Sequence, residues 1–168
     1  MSLTMYTASM PAMKRMLSNL AAILTKAEEY AASKKIDPSV LLGARLYPNM
    51  FPLLRQVLIA SDHAKGCAAR LAGIDVPKYE DKETSFAELQ ARIAKTIDFI
   101  DSVRPEQFVG SEERDIELKA GPNMYQFKGQ DYLNQWALPN FYFHLTTAYA
   151  ILRHNGLEIG KSDYLGGR

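Results

Sequence analysis

Cysteine is nearly absent: 168 residues include only Cys67. An intrachain disulfide is therefore excluded, as is a zinc site built from several cysteines of one chain. A cytoplasmic location is the simplest expectation. An excess of one charge is missing too. Twenty Lys and Arg against nineteen Asp and Glu leave a net charge of +1, so nothing in the balance points to nucleic acid or to an anionic membrane. No window approaches the roughly 18 uninterrupted apolar residues of a membrane span. Lys14 and Arg15 break the apolar stretch near the N-terminus, so no secretory leader is expected. Repeats, low-complexity linkers, a phosphate loop, a nucleophile elbow, His-Glu-x-x-His and a dinucleotide fingerprint are all lacking. The expectation is one domain spanning residues 1–168.

Against these absences, 47% of the residues are apolar and 23% charged, ordinary values for a chain that buries a core. The apolar residues recur at helical spacing. From about residue 3 to 33, Met10, Met13, Leu17, Leu20, Leu24 and Ala27 form one stripe, with Pro11 marking either the first turn or a kink. Asp37-Pro38 is a start signal for a short helix ending near Gly43. After Pro48-Asn49 a second long helix is expected to about Ala72, with Phe51, Leu54, Leu58, Ala64, Ala68 and Leu71 as its stripe and Gly73 as its stop. Residues 74–84 read as a polar loop. Ser85 and Glu88 then form a capping box ahead of the stripe Phe86, Leu89, Ile93, Ile97 and Ile100.

The segment 114–128 changes period. Asp115-Ile116-Glu117-Leu118-Lys119 alternates, Gly121-Pro122-Asn123 is turn chemistry, and Tyr125 and Phe127 alternate again. This predicts a small β-hairpin. A short helix near Gln130–Trp136 is expected next, then a last helix from Leu138 to His154 with Pro139 in its first turn and Asn155-Gly156 as its stop. Four long helices, each with one apolar stripe, bury those stripes most economically as an all-α four-helix bundle with short extra helices and the hairpin between helices 3 and 4.

Three histidines are available for chemistry. His63 and Cys67 stand four residues apart on the second long helix, so their side chains can meet, and imidazole and thiolate are both transition-metal ligands. The plainer alternative is a polar-edge His beside a small apolar Cys. His144 lies among Phe141, Ala148 and Ile151, where a buried imidazole must be hydrogen-bonded or ligated. His154, ten residues on, is about 80° away around the axis and suits the helix C-terminus. Arg45, Arg70 and Arg153 near helix ends can either clamp an anion or pair with a carboxylate.

Several stretches carry a resemblance: Arg45-Leu46-Tyr47-Pro48-Asn49-Met50-Phe51-Pro52-Leu53, then Gln56, and Ala69-Arg70-Leu71-Ala72-Gly73. So do Pro139 to His144, Tyr149 to Gly156, and Gly160 to Gly166. Together they resemble an uncharacterised bacterial domain-of-unknown-function family in the DinB/YfiT-like superfamily of four-helix bundles. The resemblance implies up-down-down-up topology and a homodimer. Many members resemble metal-dependent hydrolases or thiol transferases, with a metal on one His of the second helix and a His-x-x-x-His pair on the last. His63 and His144 match two of these positions. The third is Ala148, which cannot coordinate. Cys67, or a hydroxyl from Tyr149 or Tyr142, would have to complete a Zn or Ni site.

Three readings therefore stand. One is a metalloenzyme on His63, His144 and Cys67. Another is a metal-free pocket in which His63, His144, Gln56 and Arg45 hold a small molecule. The last is a helical homodimer whose residues near this position only satisfy one another.

Overall fold

The computed structural model describes residues 3–167; residues 1, 2 and 168, part of the expected domain, lie outside the described residues. The long first stripe becomes α1, Met5–Lys34. Thr4 and Thr7 cap it reciprocally, and the helix starts more than a turn before Pro11 and runs through it. The whole predicted stripe from Met10 to Ala27 is buried. Asp37 accepts from the Ser39 amide at 2.9 Å and starts the short α2, Pro38–Leu42.

The second long helix begins later than its stripe suggests. α3 is Leu53–Ala72, with Pro52 at the N-cap position, and Phe51 lies outside it, 53% exposed. Pro52 disfavours helical backbone at the residue before it. Phe51 is thereby left in the loop. Gly73, at φ 71°, closes α3 as expected. The capping box of Ser85 and Glu88 opens α4, Phe86–Ser102. The hairpin also forms: β1, Asp115–Ala120, pairs antiparallel with β2, Asn123–Lys128, in the register Ile116 to Phe127 and Leu118 to Tyr125. α5, Gly129–Asp131, leads through a π-helical turn, Tyr132–Ala137, directly into α6, Leu138–His154. Pro139 has no N–H for the regular helical ladder, and the wide turn lies just before it. A last short helix, α7, Lys161–Leu165, lies against α1, where the Tyr164 carbonyl accepts from Asn19 at 2.9 Å.

Contacts between helix ends fix the direction of each. Lys14 near the start of α1 pairs with Asp101 near the end of α4, and Gln90 near the start of α4 donates to the Ala21 carbonyl at 2.8 Å; these two helices are antiparallel. Tyr30, near the end of α1, donates to the Asn155 carbonyl after α6 at 3.3 Å, so α1 and α6 run together. Arg114, shortly after α4, donates to the Leu71 carbonyl near the end of α3, so α3 and α4 run together. The topology is up-down-down-up. The four stripes meet in one contiguous core containing Met13, Leu17, Leu24, Leu58, Leu89, Ile93 and Phe141.

The polar loop after α3 is pinned from α4. Arg92, whose side chain is 2% exposed, reaches Glu83 at 2.9 Å, Asp81 at 3.1 Å and Asp62 of α3 at 2.9 Å. Lys65 joins Asp62 at 2.7 Å and lies 3.7 Å from the Tyr79 ring centroid. A buried guanidinium needs this many acceptors, because an unpaired charge in the interior is strongly destabilising.

Candidate functional site

α3 and α6 pack against each other in antiparallel directions, and this contact brings the two helical histidines together. The imidazole rings of His63 and His144 lie 5.7 Å apart, stacked at 14°. His144 is 8% exposed, and the Phe143 ring meets it edge-on at 5.2 Å. Gln56, itself buried, accepts from His144 Nδ1 through Oε1 at 2.7 Å and donates through Nε2 to the Phe51 carbonyl at 2.9 Å. The direction of both bonds follows from chemistry. A carbonyl only accepts, so the amide nitrogen of Gln56 must face Phe51 and its oxygen must face the imidazole. His144 therefore carries its proton on Nδ1 and leaves a lone pair on Nε2.

Both rings are held neutral. Burial, then the neighbouring His144 ring, pull the His63 pKa down to about 4; Arg70 lowers it further and Asp62 partly offsets this. Burial alone takes His144 to about 4. At neutral pH the pair is two proton acceptors side by side.

Other predicted site residues are placed elsewhere. Arg45 is exposed and donates to the Met50 carbonyl at 2.7 Å. It braces the loop that presents the Phe51 carbonyl to Gln56, and its hydrogen bond does not go to the imidazoles. Cys67 is fully buried, and burial pushes its thiol up to about 12; a thiol held protonated this strongly is a poor metal ligand. Ala148 is also fully buried, so the third position of the family pattern is a methyl group packed in the core. Tyr142 packs on Phe141 and Tyr149 on Tyr164. Asp62 turns toward Arg92 and Lys65. Among the described residues no three His, Cys, Asp or Glu side chains are grouped to hold a metal ion. The three-donor centre implied by the resemblance does not fit these residues. His154 is exposed at the end of α6.

Sequence reasoning missed Tyr132 and the Phe51 carbonyl. Tyr132 is fully buried and accepts from Arg70 Nη1 at 3.2 Å. Burial raises its hydroxyl pKa above the ordinary tyrosine range. Its position on a π-helical turn has no simple periodic signature in sequence.

The pattern of the family described as a domain of unknown function, DUF1993, matches residues 5–165. The crystal structure of a DinB family member protein from Shewanella denitrificans is similar at 42% identity, covering 97% of this chain and 92% of that one, with a TM-score of 0.90. No curated protein matches. Among the described residues no helix is long and apolar enough to cross a membrane. With the bundle topology and the position of the imidazole pair, these matches show that the chain belongs to the DUF1993 family, within the DinB-like superfamily of helical bundles.

Proposed function

We propose that this chain is a single-domain, cytoplasmic binding protein that holds a small organic molecule where α3 meets α6. His63 and His144 act as neutral hydrogen-bond acceptors, and Gln56 orients His144. The observation that carries this reading is the Gln56–His144 bond at 2.7 Å. It spends a buried amide on fixing one tautomer, while Nε2 of His144 and both nitrogens of His63 have no hydrogen-bond partner among the described residues. The two imidazoles stack at 5.7 Å with both pKa values held near 4, and such perturbed pairs concentrate at functional sites. Metal-dependent hydrolysis or thiol transfer is the competing chemistry; it lacks a third donor here. A homodimer is the partner carried over from the family resemblance, supported by the exposed apolar surface of Tyr47, Phe51 and Phe143. Sedimentation equilibrium tests it.

The ligand reading is tested by screening a library of small metabolites against the untagged protein, following the ring resonances of His63 and His144. A ligand that moves both rings and raises Tm, and that fails to bind His63→Ala and His144→Ala, is the expected result. A library without such a ligand, with the two variants changing stability alone, overturns it.

A further inference from the structure

Gln56, His63 and Arg70 stand seven residues apart on α3. Seven helical steps return to nearly the same side of the axis, about 10.5 Å further along. The three side chains therefore form one row, and Arg70 continues the row that carries the imidazole pair.

Arg70 is a half-buried cation without a carboxylate. Among the described residues it makes no ion pair, and its one side-chain hydrogen bond goes to the Tyr132 hydroxyl at 3.2 Å. The more deeply buried cations of this region have acids: Lys65 has Asp62, and Arg92 has Asp62, Asp81 and Glu83; half-buried Arg114 instead donates to the Leu71 carbonyl. The guanidinium of Arg70 also lies back along the helix toward His63. A Cβ added to Gly66 would collide with its Nη1. Gly66 is buried in the middle of α3, where glycine costs helix stability relative to alanine; here it makes room for the guanidinium. From Gly66 to His63 is three residues, roughly 4.5 Å along the axis. The Arg70 charge acts on both His63 and Cys67, which agrees with this placement. Opposite the row, the Tyr132 hydroxyl meets Arg70 at 3.2 Å, and His144 meets Gln56 at 2.7 Å and stacks on His63.

We infer that the ligand of this strip is a small carboxylate, its anionic head held by the Arg70 guanidinium, with a hydroxyl, amine or thiol a few bonds away donating to the imidazole pair. A guanidinium matches a carboxylate in two parallel hydrogen bonds and stays charged at every physiological pH. The neutral imidazoles accept and do not repel a cationic or neutral donor. The Tyr132 hydroxyl accepts from Arg70 and retains its own proton to donate to the second carboxylate oxygen. This inference rests on the ligand-site reading above and assigns the class of molecule to it.

The test uses two pairs of probes that share a donor and differ in charge: glycolate against glycolamide, and 3-mercaptopropionate against 3-mercaptopropionamide. Each is titrated into the intact protein while the side-chain resonances of His63, His144 and Arg70 are followed. The acids are expected to move all three and to bind at least about tenfold more tightly than the amides. In Arg70→Gln the acid should fall to the affinity of its amide. Gly66→Ala keeps the charge and favours the helix, but displaces the guanidinium; it should weaken the acid severalfold and leave the amide unchanged. Equal binding of acid and amide, or an acid affinity indifferent to both substitutions, overturns the carboxylate inference and leaves the ligand site standing. If no probe moves the rings, the carboxylate inference falls, and the metabolite screen decides the ligand site by itself.

Discussion

Gln56 Oε1 accepts a hydrogen bond from His144 Nδ1 at 2.7 Å, while its Nε2 donates to the Phe51 carbonyl at 2.9 Å. One amide thus ties a loop, α3 and α6 into a single arrangement and decides which nitrogen of His144 is left to act. The loop end is itself held, because Arg45 donates to the carbonyl of Met50, the neighbour of Phe51, at 2.7 Å.

The tautomer is directly observable. In the parent protein, long-range nitrogen–proton correlation should show His144 protonated on Nδ1. Gln56→Leu removes both hydrogen bonds, and the ring should then populate the Nε2–H form that predominates for free imidazole. The substitution leaves the Phe51 carbonyl without its partner, so a loss of about 1–2 kcal/mol in unfolding free energy should accompany it. An unchanged tautomer would mean that Gln56 does not orient the ring.

The depressed histidine pKa values set the acid response. Their folded values, about 4, lie below the ordinary imidazole value of 6.5. Between those limits the unfolded chain binds protons that the folded chain refuses, so acid favours unfolding. Stability should be nearly independent of these groups above about pH 7.5 and fall as pH drops from 6.5 toward 4, with a slope of about 2–2.5 kcal/mol per pH unit at its steepest. The depressed carboxylates Asp81 and Asp163 start from an ordinary value of 3.8 and lose their contribution below the histidine window; Glu88 starts from 4.5 and begins to lose its contribution at the lower end of that window. Denaturant unfolding of the parent and of a His63→Ala, His144→Ala double variant across this range measures the difference. A parallel pH dependence in the two proteins would contradict the assignment.

Ala148 offers a third test. Restoring the family pattern by Ala148→His places an imidazole at a fully buried position. Overpacking of this kind costs about 1–3 kcal/mol, and the buried ring adds an unsatisfied polar group. The variant should melt lower than the parent, and Zn²⁺ should not recover the loss. Full recovery with stoichiometric zinc would show that only a side chain separates this protein from a metal site.

Much of the architecture was legible in the residues. The stripe from Met10 to Ala27, the capping box of Ser85 and Glu88, and the alternation around Gly121-Pro122-Asn123 are local signals, and each produced its element. The start of α3 was not, because Phe51 continues the apolar spacing while Pro52, acting on the backbone of its predecessor, holds it outside the helix. The site was legible to the same extent. His63, His144 and Gln56 carry their chemistry in their identity, and the structure joins them. Arg45 looked like a ligand residue and serves the loop. Cys67 had the spacing of a ligand, but the depth of its burial follows from packing between helices distant in sequence. The Arg92 network was hidden for a similar reason, since its acids come from α3 and from a loop whose path no periodicity describes.

Native mass spectrometry and elemental analysis of the untagged protein, purified without chelator and then soaked with Zn²⁺ or Ni²⁺, bear most directly on whether the imidazole pair binds an organic ligand without metal. The His63→Ala, His144→Ala variant serves as the control. A metal-free site predicts no near-stoichiometric transition metal in either protein, before or after soaking. One metal ion per chain in the parent, absent from the variant, would contradict it.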